Sequence, residues 1–253
     1  MCSKQSKQFM DSIKNRRSIR KYSDKDIEAS LLNEIIAEAM QTPTMGNMQL
    51  YSVVVSRSKE IKEQLAPAHF NQPMVTGAPV VLTFCADFNR FTKWCEQRNA
   101  DAGYDNFLSF MNAVQDTLLF AQTVTVLAEA AGLGTCYLGT TVYMPETISK
   151  VLNLPKLVVP VATITVGYPA EDAKKSDRLP VEAIMHNETY HDYSAEQIDQ
   201  IYSAKEALEE NKEFVRINKK ENLAQVFTDC RYTRKDNEAL SKTLWDFVKK
   251  QGF

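Results

Sequence analysis

The sequence predicts a fold of alternating helices and strands, with a sheet covered by helices on both faces. Three observations carry this. The segment 80–85 is apolar on both faces, as in a strand buried from two sides. Further strand-like runs at 50–56 and 157–167 are separated by helical patterns. Between Phe107 and Ala131 the only charges are Asp116 and Glu129, so a helix over 105–131 must be buried on several sides.

Taken in order, residues 27–41 place Ile27, Leu31, Leu32, Ile35, Ile36, Ala39 and Met40 at helical spacing. Asp24 or Asp26 is the expected cap, and Pro43 lies past the end. Residues 50–56 are rich in valine and read as a strand. A short helix, 58–66, stops near Pro67. In the 105–131 helix, Leu108, Met111, Val114, Leu118, Ala121 and Ala128 form one apolar stripe. Phe110, Leu119, Val126 and Leu127 partly fill the other faces. One domain can hide such a helix, and a subunit interface accounts for it equally well, so a dimer is expected. Gly132 and Gly134 end the helix. A strand at 135–138 and a helix at 145–152, with Pro145 at its start, follow. Pro160 is expected to put the 157–167 strand at an edge or a bulge. Beyond about 186 the chain turns charged. Helices are expected at 194–215 and 236–251, the second with Leu240, Leu244, Phe247 and Val248 on one face. That tail has too few apolar residues for its own core and is expected to wrap the main domain or its partner.

The chain has 253 residues, with 30 Lys and Arg against 32 Asp and Glu, a formal net charge of −2. This excludes a generic nucleic-acid binder, which needs a basic excess. A hydrophobic fraction of 44% excludes a disordered acidic tail. The length allows one large core. The five cysteines (Cys2, Cys85, Cys95, Cys136, Cys230) form no CxxC pair, which points to a reducing cytoplasmic setting. His69, His186 and His191 sit in no metal-binding pattern, so no metal is expected. The opening Met1-Cys2-Ser3-Lys4-Gln5 lacks the apolar core of a signal peptide. The apolar stretches 79–86 and 157–166 are too short to span a bilayer. No repeat or low-complexity tract occurs.

Four segments could carry chemistry. Asn15-Arg16-Arg17-Ser18-Ile19-Arg20-Lys21-Tyr22 crowds guanidinium forks beside a hydroxyl, which suits a phosphate. The same residues also suit a solvated helix end. Thr42-Pro43-Thr44-Met45-Gly46-Asn47-Met48-Gln49 offers hydroxyls and amides to a planar polar ring, or is an ordinary loop. Residues 132–139 hold three of the eight glycines, but they follow a helix rather than open one, so no phosphate loop is assigned. Lys174-Lys175-Ser176-Asp177-Arg178-Leu179-Pro180 is a basic loop that could add phosphate contacts or be a solvated turn.

Together and in order, these segments resemble the nitroreductase superfamily. Arg16-Arg17-Ser18-Ile19-Arg20-Lys21-Tyr22 resembles its opening motif, and 42–49 its small-residue loop ending in Asn-x-Gln. Gln72-Pro73-Met74-Val75, followed by Phe84-Cys85-Ala86-Asp87-Phe88-Asn89-Arg90, is similar to the branch of oxygen-insensitive NADPH nitroreductases and flavin reductase P. Residues 132–139, Gly167-Tyr168-Pro169, Arg178-Leu179-Pro180 and Lys250-Gln251-Gly252-Phe253 continue the match, which spans about 8–253.

The resemblance implies an α+β fold: a mixed sheet flanked by helices, a long central helix at a homodimer interface, and a C-terminal helical extension. It implies one FMN-binding domain, with a core of about 8–185 and an extension of about 186–253. FMN is the implied bound cofactor and NAD(P)H the implied hydride donor. Arg16, Arg17, Ser18 and Arg20 are implied contacts to the phosphate, ribityl chain and pyrimidine edge, with Arg20 near N1 and the C2 carbonyl, where a cation stabilises reduced flavin. Thr44, Met45, Asn47 and Gln72 are implied to line the ring or ribityl chain. The segment Tyr137, Leu138 and Gly139 is implied to face N5 and O4. Lys175, Ser176 and Arg178 are implied at the phosphate. Two departures stand out. Ser176 occupies a position where relatives often have lysine, and Thr140-Thr141-Val142 stands where the NADPH-preferring branch has an arginine; both leave NADPH against NADH open. The implied reaction is a ping-pong hydride transfer through flavin N5 to nitroaromatics, quinones or free flavin. No catalytic side chain is required. Flavin cleavage, dehalogenation or flavin binding without turnover are the alternatives.

Overall fold

The computed structural model describes residues 4–253; Cys2 and the opening tripeptide lie outside them. The chain divides into two compact units. One runs to Lys175 and includes Ser241–Phe253, and the other is Ser176–Leu240.

The first unit contains α1 (Lys4–Lys14), α2 (Ala29–Ala39), β1 (Tyr51–Ser56), α3 (Lys59–Leu65), α4 (Pro73–Gly77), β2 (Val80–Asp87), α5 (Asn89–Glu96), α6 (Phe107–Ala130), β3 (Gly134–Leu138), α7 (Pro145–Val151) and β4 (Val158–Gly167). The strands form a four-stranded sheet in the order β1-β2-β4-β3. All neighbouring strands run antiparallel. Among the described residues the parallel element of the expected mixed sheet is a single bridge, Ser18 to Thr135.

β2 is buried along its whole length, as its continuous apolar sequence requires. α2 and α6 cover one face of the sheet, where Ile35, Phe84, Phe120, Val124 and Ile164 make the main core. Tyr51 stacks on Phe120 at a centroid distance of 4.3 Å. Leu65, Val75, Val81, Cys136, Leu138 and Ile148 form a core on α3, α4 and α7. A third cluster joins Leu50, Phe88, Phe110 and Val159 to Phe247, Val248 and Phe253.

The structure bears on three local expectations. Of the edge or bulge expected at Pro160, the edge is excluded because β4 lies between β2 and β3. It adjoins a bulge instead: Phe84 faces Ala162 while Cys85 faces Pro160, leaving Val161 over, and this irregularity accommodates a residue with no N–H. The α2 cap is Glu28, which makes no side-chain cap bond. Asp26 instead accepts the Ile27 N–H at 2.8 Å and pairs with Arg57. In the expected stripe of α6, Ala121 and Ala128 are buried while Leu108 is 70% exposed within the single chain, and on other faces Phe110, Phe120 and Val124 are buried while Leu119 is 48% exposed.

The second unit holds a short turn, Val181–Ala183, then α8 (Ala195–Glu206), α9 (Glu209–Ile217), α10 (Leu223–Val226) and a π turn at Phe227–Arg231. The helix expected over 194–215 is therefore broken: Leu208, with ψ 130°, leaves the helical region and starts α9. Ser194 and Gln197 form a capping box at the start of α8. α11 (Arg234–Gln251) begins in this unit and ends in the first.

Candidate functional site

The arginine-rich segment lies alongside β3 and the exit of β4, held mainly by its backbone. The Ile19 N–H donates to the Thr135 carbonyl at 2.9 Å. The N–H groups of Arg20 and Lys21 both donate to Glu171 Oε1, at 2.6 and 3.1 Å. Ser23 donates to the Tyr168 carbonyl at 2.9 Å. Tyr22 closes the strap, its hydroxyl donating to the Ile19 carbonyl at 2.6 Å and lying 2.7 Å from Thr165 Oγ1. Burial pushes that phenol well above its ordinary pKa. Gly134 makes the docking possible: a Cβ there would come within 2.7 Å of the Ile19 side chain.

The side chains on this strap stand over β3 with carboxylate neighbours. Arg16 Nε lies 3.3 Å from Glu129 Oε1, which also accepts the Thr135 hydroxyl. Burial raises the Glu129 carboxyl, against the lowering effects of Thr135 and Arg16. Arg17 pairs with the exposed Asp172. Burial raises the Cys136 thiol, and the positive charges of Arg20 and Arg16 oppose it, so both cations act on the middle of β3. Cys85 and Cys136 are both buried, consistent with a packing role.

Tyr137 and Leu138 end β3, and the tight turn Gly139–Val142 follows. The Tyr137 hydroxyl accepts from Thr125 of α6 at 3.3 Å. Gly139 is exposed, and a Cβ there would meet no atom within 4 Å, so the backbone has open space above it. Gln72 lies in a loop tied to this turn. His69, fully buried, places Nδ1 2.8 Å from Thr140 Oγ1. Arg16, Arg17, Ser18, Arg20, Tyr137, Leu138, Gly139 and Gln72 are thus connected around β3 and the turn that follows it.

Thr44, Met45 and Asn47 are held elsewhere. Asp116, 3% exposed, accepts the Met45 N–H at 2.9 Å and the Leu50 N–H at 3.2 Å. The Thr44 hydroxyl accepts the Gln49 N–H at 3.1 Å. Gly46, Asn47 and Gln49 all have φ of 53–56°, a tight left-handed course. Asp116 and Glu129 anchor the two groups and lie thirteen residues apart on α6, about 20 Å along its axis. Within one chain the two groups are therefore anchored at different turns of α6.

Lys175 closes the first unit and is exposed. Ser176 and Arg178 belong to the second. There Arg178 donates to the Asp177 carbonyl at 2.7 Å and lines a hollow with Pro180, Tyr193 and Gln197. Lys205, 2.7 Å from the Asp177 carboxylate, holds that acid below its ordinary pKa.

The Nitroreductase family profile matches residues 13–168, from just before the arginine strap to the exit of β4. The chain belongs to the nitroreductase family. Among relatives of this nitroreductase is an FMN reductase (NAD(P)H) of Bacillus subtilis (strain 168), 34% identical over 190 residues, 72% of this chain and 74% of the relative. Another is an oxygen-insensitive NADPH nitroreductase of Salmonella typhimurium, 32% identical over 174 residues, 69% of this chain and 71% of the relative. A crystal structure from Bacteroides fragilis NCTC 9343 superposes with a TM-score of 0.95 at 60% identity, covering 96% of this chain and 99% of that one.

The nitroreductase scaffold depends on residues the sequence reading did not assign to the site. Asp116 and Glu129 had a signal, since the only charges in an apolar helix need partners. Glu171 and His69 had none, because their contacts cross 151 and 71 residues of chain. Among the described residues no group of His, Cys, Asp and Glu could hold a metal ion. Nor, among those residues, is any helix long and apolar enough to cross a membrane.

Proposed function

We propose that this protein is a cytoplasmic, FMN-dependent NAD(P)H oxidoreductase that passes electrons to small acceptors of the nitroaromatic, quinone or free-flavin class. The observation that carries the reading is the strap: three guanidinium side chains on a backbone stapled to β3, the strand that runs into the open space over Gly139. A flavin mononucleotide needs such a set, cations for its phosphate and pyrimidine edge and backbone donors for its ring. FMN, when bound, supplies the two-electron hydride chemistry.

The residues of the chain bind and orient. Arg16, Arg17 and Ser18 hold the phosphate and ribityl chain, with Lys175 adding a donor at the phosphate. Arg20 places a cation at the pyrimidine edge, which favours the anionic reduced ring. Tyr137, Leu138 and Gly139 present main-chain groups to the ring, and Gln72 presents its amide. No side-chain nucleophile or general acid is assigned.

The working form we propose is a homodimer. Its support is the separation along α6, together with the exposed apolar side chains of that helix. Phe107 is 54% exposed, Leu108 70% and Leu119 48%, and Phe9 of α1 is 57% exposed. A second copy with its α6 antiparallel to the first would cover these residues. It would also carry its own Thr44, Met45 and Asn47 toward the first copy's strap, placing FMN between subunits.

The test is a visible spectrum of the purified protein, before and after anaerobic NADPH or NADH. Flavin bands that bleach on addition support the reading. A bound flavin that neither nucleotide bleaches rejects the NAD(P)H activity, and no flavin after incubation with FMN rejects the cofactor. Arg16→Ala should weaken FMN binding by about 1.5–3 kcal/mol, the worth of a charged hydrogen bond.

A further inference from the structure

Between the Gln72 loop and the Gly139 turn lies one fully buried imidazole. His69 is 0% exposed and follows Ala68, also 0% exposed, in the short turn Ala66–His69. Its Nδ1 is 2.8 Å from Thr140 Oγ1, and its Nε2 is buried with no protein partner. Burial lowers its pKa to about 4, so the ring is neutral at neutral pH and carries one N–H. A buried N–H without an acceptor is rarer than a bare lone pair, which puts the proton on Nδ1. His69 then donates to the Thr140 hydroxyl.

Both segments joined by this bond need an anchor. After His69 the chain turns through Phe70 and Asn71, each at φ 54°, before reaching Gln72. Left-handed geometry at two successive non-glycine residues is costly and persists where the surroundings fix it. The Asn71 N–H reaches the Ala66 carbonyl at 2.8 Å, and the Gln72 N–H reaches the His69 carbonyl at 3.2 Å. On the other side the Thr141 hydroxyl donates to the Leu138 carbonyl at 2.9 Å, closing the turn after β3. The His69–Thr140 bond is a polar side-chain link between the two loops, beside the tilted Phe70–Tyr143 ring pair at a centroid distance of 6.1 Å.

We infer that His69 is a positioning residue: through Thr140 it fixes the distance between the Gln72 amide and the main chain at Gly139, and so the donor geometry presented to the flavin ring. This rests on the FMN reading above. Donors aimed at developing charge act through fixed placement, and small misplacements cost rate more than binding.

His69→Ala risks misfolding, so the bond is better cut from its other end. Thr140→Val keeps the shape and removes the hydroxyl; Thr140→Ser keeps the hydroxyl. The assay is the anaerobic rate of flavin reduction by NADPH, with the midpoint potential of bound FMN and the KM for NADPH. Thr140→Val should retain FMN and fold, reduce its flavin about tenfold more slowly with KM within about twofold, and shift the potential negative. Thr140→Ser should stay within about threefold of the parent in rate. A purely structural bond would lower the melting temperature and leave potential and rate alone, and that result overturns the inference. So does an equal loss in both variants. A parent protein that takes up no FMN overturns the cofactor reading itself, and the positioning role with it.

Discussion

The carboxylate of Asp116 accepts a hydrogen bond from the main-chain N–H of Met45 at 2.9 Å, across 71 residues of sequence. Its other oxygen takes the N–H of Leu50 at 3.2 Å. A charge buried in an otherwise apolar helix is tolerated because two backbone donors satisfy it, and in return it holds the 44–49 loop in its left-handed course. Asp116→Ala should cost about 2–3 kcal/mol in urea unfolding, since it strands two N–H groups. Asp116→Asn, which keeps one acceptor, should cost less. Equal losses in the two variants would deny the anchor.

Two glycines separate packing from binding. Gly134→Ala drives a Cβ to within 2.7 Å of Ile19 and should cost about 1–3 kcal/mol of stability by overpacking. Gly139→Ala meets nothing within 4 Å and should stay within about 0.5 kcal/mol of the parent. On the FMN reading the second variant nevertheless weakens flavin binding, because its methyl enters the open space above the turn. Fluorescence titration with FMN, paired with denaturant unfolding, reads both.

The exposed stripe of α6 gives a test of assembly. Leu119 is 48% exposed, so Leu119→Glu is tolerable in a single chain and disruptive in an apolar interface. Sedimentation should show half the parent's mass at micromolar concentration, with FMN released. A dimer of undiminished strength would remove α6 from the interface.

Acid stability follows from His69. Its pKa is about 4 in the folded chain against 6.5 for the free side chain. As pH falls the unfolded chain takes up this proton first, so stability drains away from about pH 6.5 to about pH 4. Above that window the contribution is constant. His69→Gln cannot titrate, and its unfolding free energy should fall less steeply over the same interval. Parallel slopes for the two proteins would contradict the buried neutral ring.

The strand β2 and the helix α6 were legible in the sequence because each reports burial directly, one through an unbroken apolar run and the other through the scarcity of charge. The arginine strap was legible as chemistry but not as geometry, since its course depends on Glu171 and Thr135, remote in sequence. α1 and α5 escaped notice because their polar sequences, KQSKQFMDSIK and NRFTKWCE, carry little continuous apolar pattern. The break at Leu208 had no glycine or proline to announce it. Pro160 announced an irregularity and left its type open; the sheet order decided it.

The Arg16-to-Tyr22 segment is fixed largely by bonds donated from its main chain: Ile19 to Thr135, Arg20 and Lys21 to Glu171, Ser23 to Tyr168. The course of the chain is set mainly by the backbone, with only Arg16 also tied to a largely buried partner, Glu129. The heads at 17 and 20 can be exchanged while the rack that carries them stays in place, so ligand preference can drift in descendants, or be rewritten by an engineer, without renegotiating the fold.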